Sequence, residues 1–154
     1  MINIANKDNI QKIIKPWGSE LWIANGKDTP YALKKINIKK GHKSSIQFHE
    51  FKFETIFLLE GEAYLHFHHE KIDIDKFKSN KYSDDDISFL INSLSKCKIS
   101  PGESFSVIPG QIHSVEAISD ITIIEASTTE LEDVFRLRDE FGRQHGKVPA
   151  EHQT

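Results

Sequence analysis

The chain has 154 residues, a formal net charge of −3 and 28% charged residues, which suits one domain with a proper core. It has no basic excess to point to nucleic acid or anionic membrane as a partner, and no apolar run reaches the ~18 residues of a membrane span. The first fifteen residues lack the apolar core of a signal peptide, and a single cysteine, Cys97, excludes an internal disulfide and fits a reducing cytoplasm.

Residues 1–14 read as an N-terminal arm. From Lys15 onward, apolar residues recur mostly with period two, which predicts strands at 19–24, 31–38, 45–49, 54–60, 63–68, 104–108, 113–117 and 121–127. Turn residues fall between them: Asn25-Gly26, Lys40-Gly41, Glu60-Gly61, Pro101-Gly102, Pro109-Gly110 and Ser119-Asp120. The pattern predicts an all-β, single-domain jelly-roll barrel over 15–143.

One segment, about 69–98, interrupts this rhythm as a polar insertion. Within it a helix is expected from Ser83 to about Ser95. Ser83 and Asp86 form a weaker kind of capping box, three aspartates begin the first turn, and Ile87, Leu90, Ile91 and Leu94 make one apolar stripe. It reads as a surface helix packed on the barrel wall, with a lid or dimerisation element as the alternative. Near the end, Leu131, Val134, Leu137 and Phe141 could line a helical face, while 133–137 equally reads as a last strand; 144–154 reads as a flexible tail.

Two stretches carry the chemistry. Gln47 and His49 are two apart, so on a strand they leave the same face; Glu54 opens the next strand, and His113 follows a Pro-Gly turn in a distant hairpin. Gln47, His49, Glu54 and His113 are therefore a candidate ligand set. Its oxygen and nitrogen donors suit a borderline divalent ion such as zinc, manganese, cobalt, nickel or ferrous iron. With one carboxylate in the set, the bound ion would keep a net positive charge and act as a Lewis acid.

The spacing Gly41…Gln47-x-His49…Glu54…Gly61, with Gly102…Pro109-Gly110…His113, resembles the two signature motifs of the cupin superfamily. Gln47 stands where many cupins have a first histidine, and Ala117 where the second motif has asparagine. The Gln, His, Glu, His set resembles the zinc site of phosphomannose isomerases. Lys15-Pro16-Trp17-Gly18, the segment 133–137 and Phe141-Gly142-Arg143 resemble the C-terminal isomerase domain of the bifunctional mannose-6-phosphate isomerases. This chain departs from that pattern with Lys52 for an arginine and Thr55-Ile56 for His-Trp. The resemblance implies a metal-dependent sugar-phosphate isomerase acting through an enediolate, on a sugar phosphate or nucleotide sugar. No guanylyltransferase domain is expected here.

Around the metal, Lys34, Lys52 and Arg136 are the candidate catalytic residues. Lys34 shares a strand face with Ala32, Ile36 and Ile38, which places it inward as a proton carrier, unless a register slip turns Lys35 inward instead. Lys52, Arg136 and Arg143 could meet an anionic group, and Glu125 and Glu116 could face the cavity. His66, His68 and His69 read as exterior or inter-subunit histidines, Cys97 as a surface thiol, and Trp17 and Trp22 either as packing residues or as sugar-stacking rings. A small barrel with open edge strands is expected to form a homodimer. The competing functions are a non-catalytic sugar-binding cupin and an iron-dependent dioxygenase or lyase on the same fold.

Overall fold

The computed structural model describes residues 1–146. In chain order the elements are β1 (Gln11–Lys15), β2 (Gly18–Asn25), β3 (Ala32–Ile38), β4 (Ile46–Phe48), β5 (Glu54–Glu60), β6 (Ala63–Lys71), α1 (Ile74–Lys78), α2 (Asp84–Asn92), β7 (Ser95–Ile99), β8 (Ser104–Val107), β9 (Gln111–Ala117), β10 (Ile121–Ser127) and β11 (Phe135–Arg138). Two antiparallel sheets face each other, one of six strands in the order β1-β2-β3-β10-β5-β8 and one of five in the order β11-β4-β9-β6-β7. This is the expected jelly-roll.

Alternation decides which side chains enter the barrel. In β3 the buried residues are Ala32, Lys34, Ile36 and Ile38; in β5 they are Glu54, Ile56 and Leu58. Toward one end the interior is apolar: Trp17, Ile36, Ile38, Leu58, Leu65, Val115, Ile121 and Ile123 belong to one buried cluster. The polar residues of the same faces gather elsewhere along the strands, so one continuous alternation builds both core and site.

A second cluster lies on the outer face of the five-stranded sheet, where Ile46, Phe48, Ile72 and Ile112 are buried. Phe48 stacks on Phe135 at 5.3 Å and meets the edge of Phe77 at 5.0 Å. Leu90, Ile91 and Leu94 pack on the same cluster, so the inserted helices cover the barrel wall. The capping box of α2 is complete: Asp86 N donates to Ser83 Oγ and Ser83 N to Asp86 Oδ2. His68 holds the far end of α2 through a 2.7 Å contact from Nε2 to the carbonyl of Leu90.

Several boundaries differ from the sequence reading. Residues 11–14, assigned to the arm, belong to β1, which pairs along its length with β2; only Ile13 is buried, so alternation is too faint to see. The helix stops at Asn92, because residues 95–99 pair with β6 as the edge strand β7. There Lys96 and Lys98 face solvent, which masks the strand as polar insertion. Strand β6 runs on to Lys71, so the insertion proper is shorter than 69–98, and it contains an extra helix, α1. Of the two readings for 133–137, the strand prevails, since Phe135 and Arg136 pair with Phe48 and Gln47. The expected flexible tail lies, from residue 147, outside the described residues.

Gly61 turns the chain between β5 and β6 at φ 85°, and a Cβ there would lie 2.3 Å from the carbonyl oxygen of Asp120. Both the left-handed backbone and the contact penalise a side chain. Gly61→Ala is expected to cost on the order of 3 kcal/mol, read as a lower urea midpoint with the slope unchanged. A variant as stable as the parent would contradict this account of the turn.

Candidate metal centre and active site

Two cross-strand rungs face one another inside the barrel. On the five-stranded sheet, Arg136, Gln47, His113 and Phe67 are successive partners across β11, β4, β9 and β6. On the six-stranded sheet, Trp22, Lys34, Glu125 and Ile56 are partners across β2, β3, β10 and β5. Side chains along a rung leave the same face, so residues far apart in sequence converge on one pocket. It is lined by Gln47, Glu54, His113, Lys34, Lys52, Glu125 and Glu20, among others.

His49, Glu54 and His113 are all buried, and their potential ligand atoms lie within 4.8 Å of one another. His49 Nδ1 is 2.6 Å from the main-chain oxygen of Asp133, and His113 Nδ1 is 3.0 Å from that of Gln111. A carbonyl oxygen only accepts, so both rings carry their proton on Nδ1 and turn the other nitrogen inward. Those Nε2 atoms stand 3.2 Å and 2.8 Å from Glu54 Oε1, and His113 Nε2 is buried without a hydrogen bond among the described residues. Lone pairs facing a carboxylate oxygen at this range repel one another unless positive charge lies among them. The residues fit a divalent cation on these grounds, and the donor types are those of a borderline metal. Gln47, the fourth expected ligand, lines the same pocket beside His113, with its Oε1 accepting from Ser45 Oγ at 2.5 Å.

A chain of alternating charge leads away from this centre. Lys52 Nζ is 3.0 Å from Glu54 Oε2 and 3.4 Å from Glu125 Oε2; Lys34 Nζ is 3.9 Å from Glu125 Oε2 and 3.4 Å from Glu20 Oε1. Trp22 closes the series, donating from Nε1 to Glu20 Oε1 at 2.9 Å with its ring 4.6 Å from Lys34 Nζ. Burial alone would raise Glu20, but the ammonium groups of Lys34 and Lys15 and the Trp22 N–H more than offset it and hold the carboxyl at about 2. Burial likewise works against Glu54, yet the Lys52 ammonium keeps it well below the usual carboxylate range. Burial depresses Lys52, and Glu125 and Glu54 more than reverse that, holding the ammonium above the ordinary lysine value. Glu125 goes the other way: burial, opposed by Lys52 and aided by the charge of Glu54, lifts it to about 7.

The structure thus brings together Lys34, Lys52 and the expected ligands, with Lys34 inward and Lys35 outward. Arg136 lines the pocket beside Gln47, but its Nη1 donates to the carbonyls of Gln144 and Gly146. Arg143 is held by Asp139 through 3.0 Å and 2.7 Å bonds. Glu116 is turned outward, onto His66 at 3.2 Å, and Cys97 is exposed. Trp17 is buried in the pocket wall, and its Nε1 has no hydrogen-bond partner among the described residues. Sequence reasoning missed Glu20 and Asp133. Glu20 shares a face with Trp22 two residues on, but its importance rests on Lys34 across the strand pair. Asp133 acts on a loop more than eighty residues earlier.

A jelly-roll barrel with buried His, Glu and His donors defines a cupin, and solved structures agree on the fold. Oxalate decarboxylase from Bacillus subtilis matches with a TM-score of 0.63 at 13% identity, over 89% of this chain and 33% of that one. CapF, a capsular polysaccharide assembling protein from Staphylococcus aureus, matches with 0.62 at 15%, over 84% and 32%. Ectoine synthase from P. lautus matches with 0.61 at 14%, over 83% and 78%. This chain thus spans about a third of the length of the first two. No curated protein sequence matches it significantly. Within the cupins, the chain belongs to the D-lyxose isomerase family, whose model matches residues 19–143. The family is therefore not that of the mannose-6-phosphate isomerases, which the motifs resemble.

Two expectations follow. His49→Ala or His113→Ala should remove most bound divalent metal from purified protein, whereas His68→Ala, which loses only its contact with α2, should retain it; elemental analysis decides, and the reverse ranking would show the wrong cluster was chosen. Glu20 makes the second. Its carboxyl is held at about 2 in the folded protein against 4.5 for the free group, so its contribution is full above about pH 4.5 and is lost as pH falls toward 2. That contribution is about 3 kcal/mol. Glu20→Gln should flatten the dependence of stability on pH across this window, and an unchanged slope would count against it.

Proposed function

We propose that this protein is a metal-dependent aldose–ketose isomerase of the cupin type. The single observation that carries the reading is the convergence of His49, Glu54 and His113 beside a buried Lys52–Glu125–Lys34 series, in a chain of the D-lyxose isomerase family. Gln47, His49, Glu54 and His113 would hold the ion, with zinc as the first choice. When bound, it supplies Lewis-acid stabilisation of the negative charge that develops on the sugar oxygens.

Isomerisation removes the proton from C2 of the aldose, passes through an enediolate, and returns a proton to C1, while the hydroxyl proton on O2 moves to O1. Lys34 Nζ stands between Glu20 and Glu125 and is the candidate for the carbon-to-carbon proton transfer. Lys52 fixes Glu54 and Glu125 relative to one another and presents positive charge to the oxygens. Trp17 Nε1, buried in the pocket wall without a hydrogen-bond partner among the described residues, could donate to a sugar hydroxyl. Arg136 and Arg143 would meet an anionic substituent, but their engagement with the carbonyls of Gln144 and Gly146 and with Asp139 favours a neutral aldose over a sugar phosphate or nucleotide sugar.

The test is incubation of metal-loaded protein with D-lyxose, other aldoses and their phosphates in deuterated water. Deuterium at C2 of recovered aldose, together with ketose formation, is expected. Lys34→Met should keep metal and lose some stability, because Glu20 stays buried without the Lys34 ammonium, while reducing exchange at least a hundredfold, on the order of a lost general acid–base group. Metal and sugar binding without any exchange across the panel would favour a sugar-binding cupin, and full exchange in Lys34→Met would move the proton transfer to Glu125.

A further inference from the structure

Two of the site's side chains, His49 and Lys52, stand on residues 49–53, which belong to neither sheet. Such a loop would hold a ligand loosely unless something outside it fixed its backbone. Its two ends are held by Gly110 N, which donates to the His49 carbonyl at 2.8 Å, and by Thr128, whose Oγ1 accepts from Phe53 N at 3.1 Å; the three amides between them are held by one residue. Asp133 Oδ1 accepts from Glu50 N at 2.9 Å, and Oδ2 accepts from Phe51 N at 2.7 Å and Lys52 N at 3.0 Å. The main-chain oxygen of the same Asp133 takes the His49 Nδ1 proton at 2.6 Å.

Three successive amides aimed at one carboxylate form an anion-binding nest, here filled from within the chain. Bonds to a charged acceptor are the stronger kind. With the carboxylate clasping the loop, the carbonyl on the same residue can stand at only one distance from the imidazole. That carbonyl selects the His49 tautomer and aims Nε2 at Glu54.

We propose that Asp133 is the positioning residue of the metal centre, its side chain clasping the 49–53 loop so that its own carbonyl sets the tautomer and direction of His49. This rests on the metal reading given above. Asp133 touches neither substrate nor ion; it acts through His49 and through the backbone of Lys52. The side-chain clasp, unlike the carbonyl, can be removed by mutation.

The experiment measures zinc affinity by competition with a chromophoric chelator, for the full chain and three variants, beside the thermal stability of each in its metal-free form. Asp133→Ala should weaken zinc by roughly 10–100-fold, the usual effect of losing a partner behind a metal ligand. Asp133→Asn, nearly isosteric and able to accept at one oxygen, should fold like the parent and fall between the two. Asp139→Ala cuts the bond to Arg143 on the same C-terminal segment and should leave zinc affinity within about twofold of the parent, as expected for a site it does not support. If the parent binds no zinc, the metal reading itself fails. If the parent binds and Asp133→Asn matches it, or if Asp139→Ala loses as much affinity as Asp133→Ala, the positioning role is overturned. Should Asp133→Ala fail to fold, the Asn and Asp139 arms still decide.

Discussion

The carboxyl groups of Glu20, Glu54 and Glu125 and the amines of Lys34 and Lys52 are sealed inside this barrel, and their mutual neutralisation is the condition on which the rest depends. Taking any one of them out of water alone costs several kcal/mol. The strands answer by alternating sign along the pocket, so that every carboxylate touches an ammonium. The other oxygen of Glu54 stands where His49 and His113 aim their lone pairs, a place whose natural complement is a divalent cation.

Much of this was legible because β-structure has a short period. Alternation in 32–38 offered Lys34 as the inward residue with Lys35 as the alternative, and the burial pattern of β3 decides for Lys34; the Gln47-x-His49 spacing assumed one strand, but β4 ends at Phe48 and His49 stands on the loop that follows. The family was harder to read: the motifs resembled the mannose-6-phosphate isomerases, yet the ligand pattern is shared widely across cupins, and Lys52 and Thr55 had already departed from that group. Glu20 and Asp133 stayed hidden for a different reason. Their partners lie on other strands or eighty residues away, so no local pattern marks them. β7 was masked because an edge strand needs no apolar face, and its lysines read as loop.

The inserted helices belong to a different logic. They add no side chain to the pocket; they cover Ile46, Phe48 and Ile112 on the outer wall, behind Gln47 and His113. β4 is only three residues long, and a strand so short gains little from its ladder. Sandwiching Phe48 between Phe135 and Phe77 holds it from the back, so outer packing fixes the direction in which Gln47 points inward.

The order of these parts along the chain also sets an order in time. During synthesis His49 and Glu54 emerge first, His113 follows, and the carbonyl that orients His49 comes only with residue 133. At about 5–20 residues per second, the gap from 49 to 133 is roughly 4–17 s. Throughout that interval the nascent chain holds a histidine and a carboxylate with no fixed geometry between them. On the metal reading proposed above, selection of the ion would therefore fall to the completed barrel, after its last strand has docked, rather than to the segment in which the ligand motif is written.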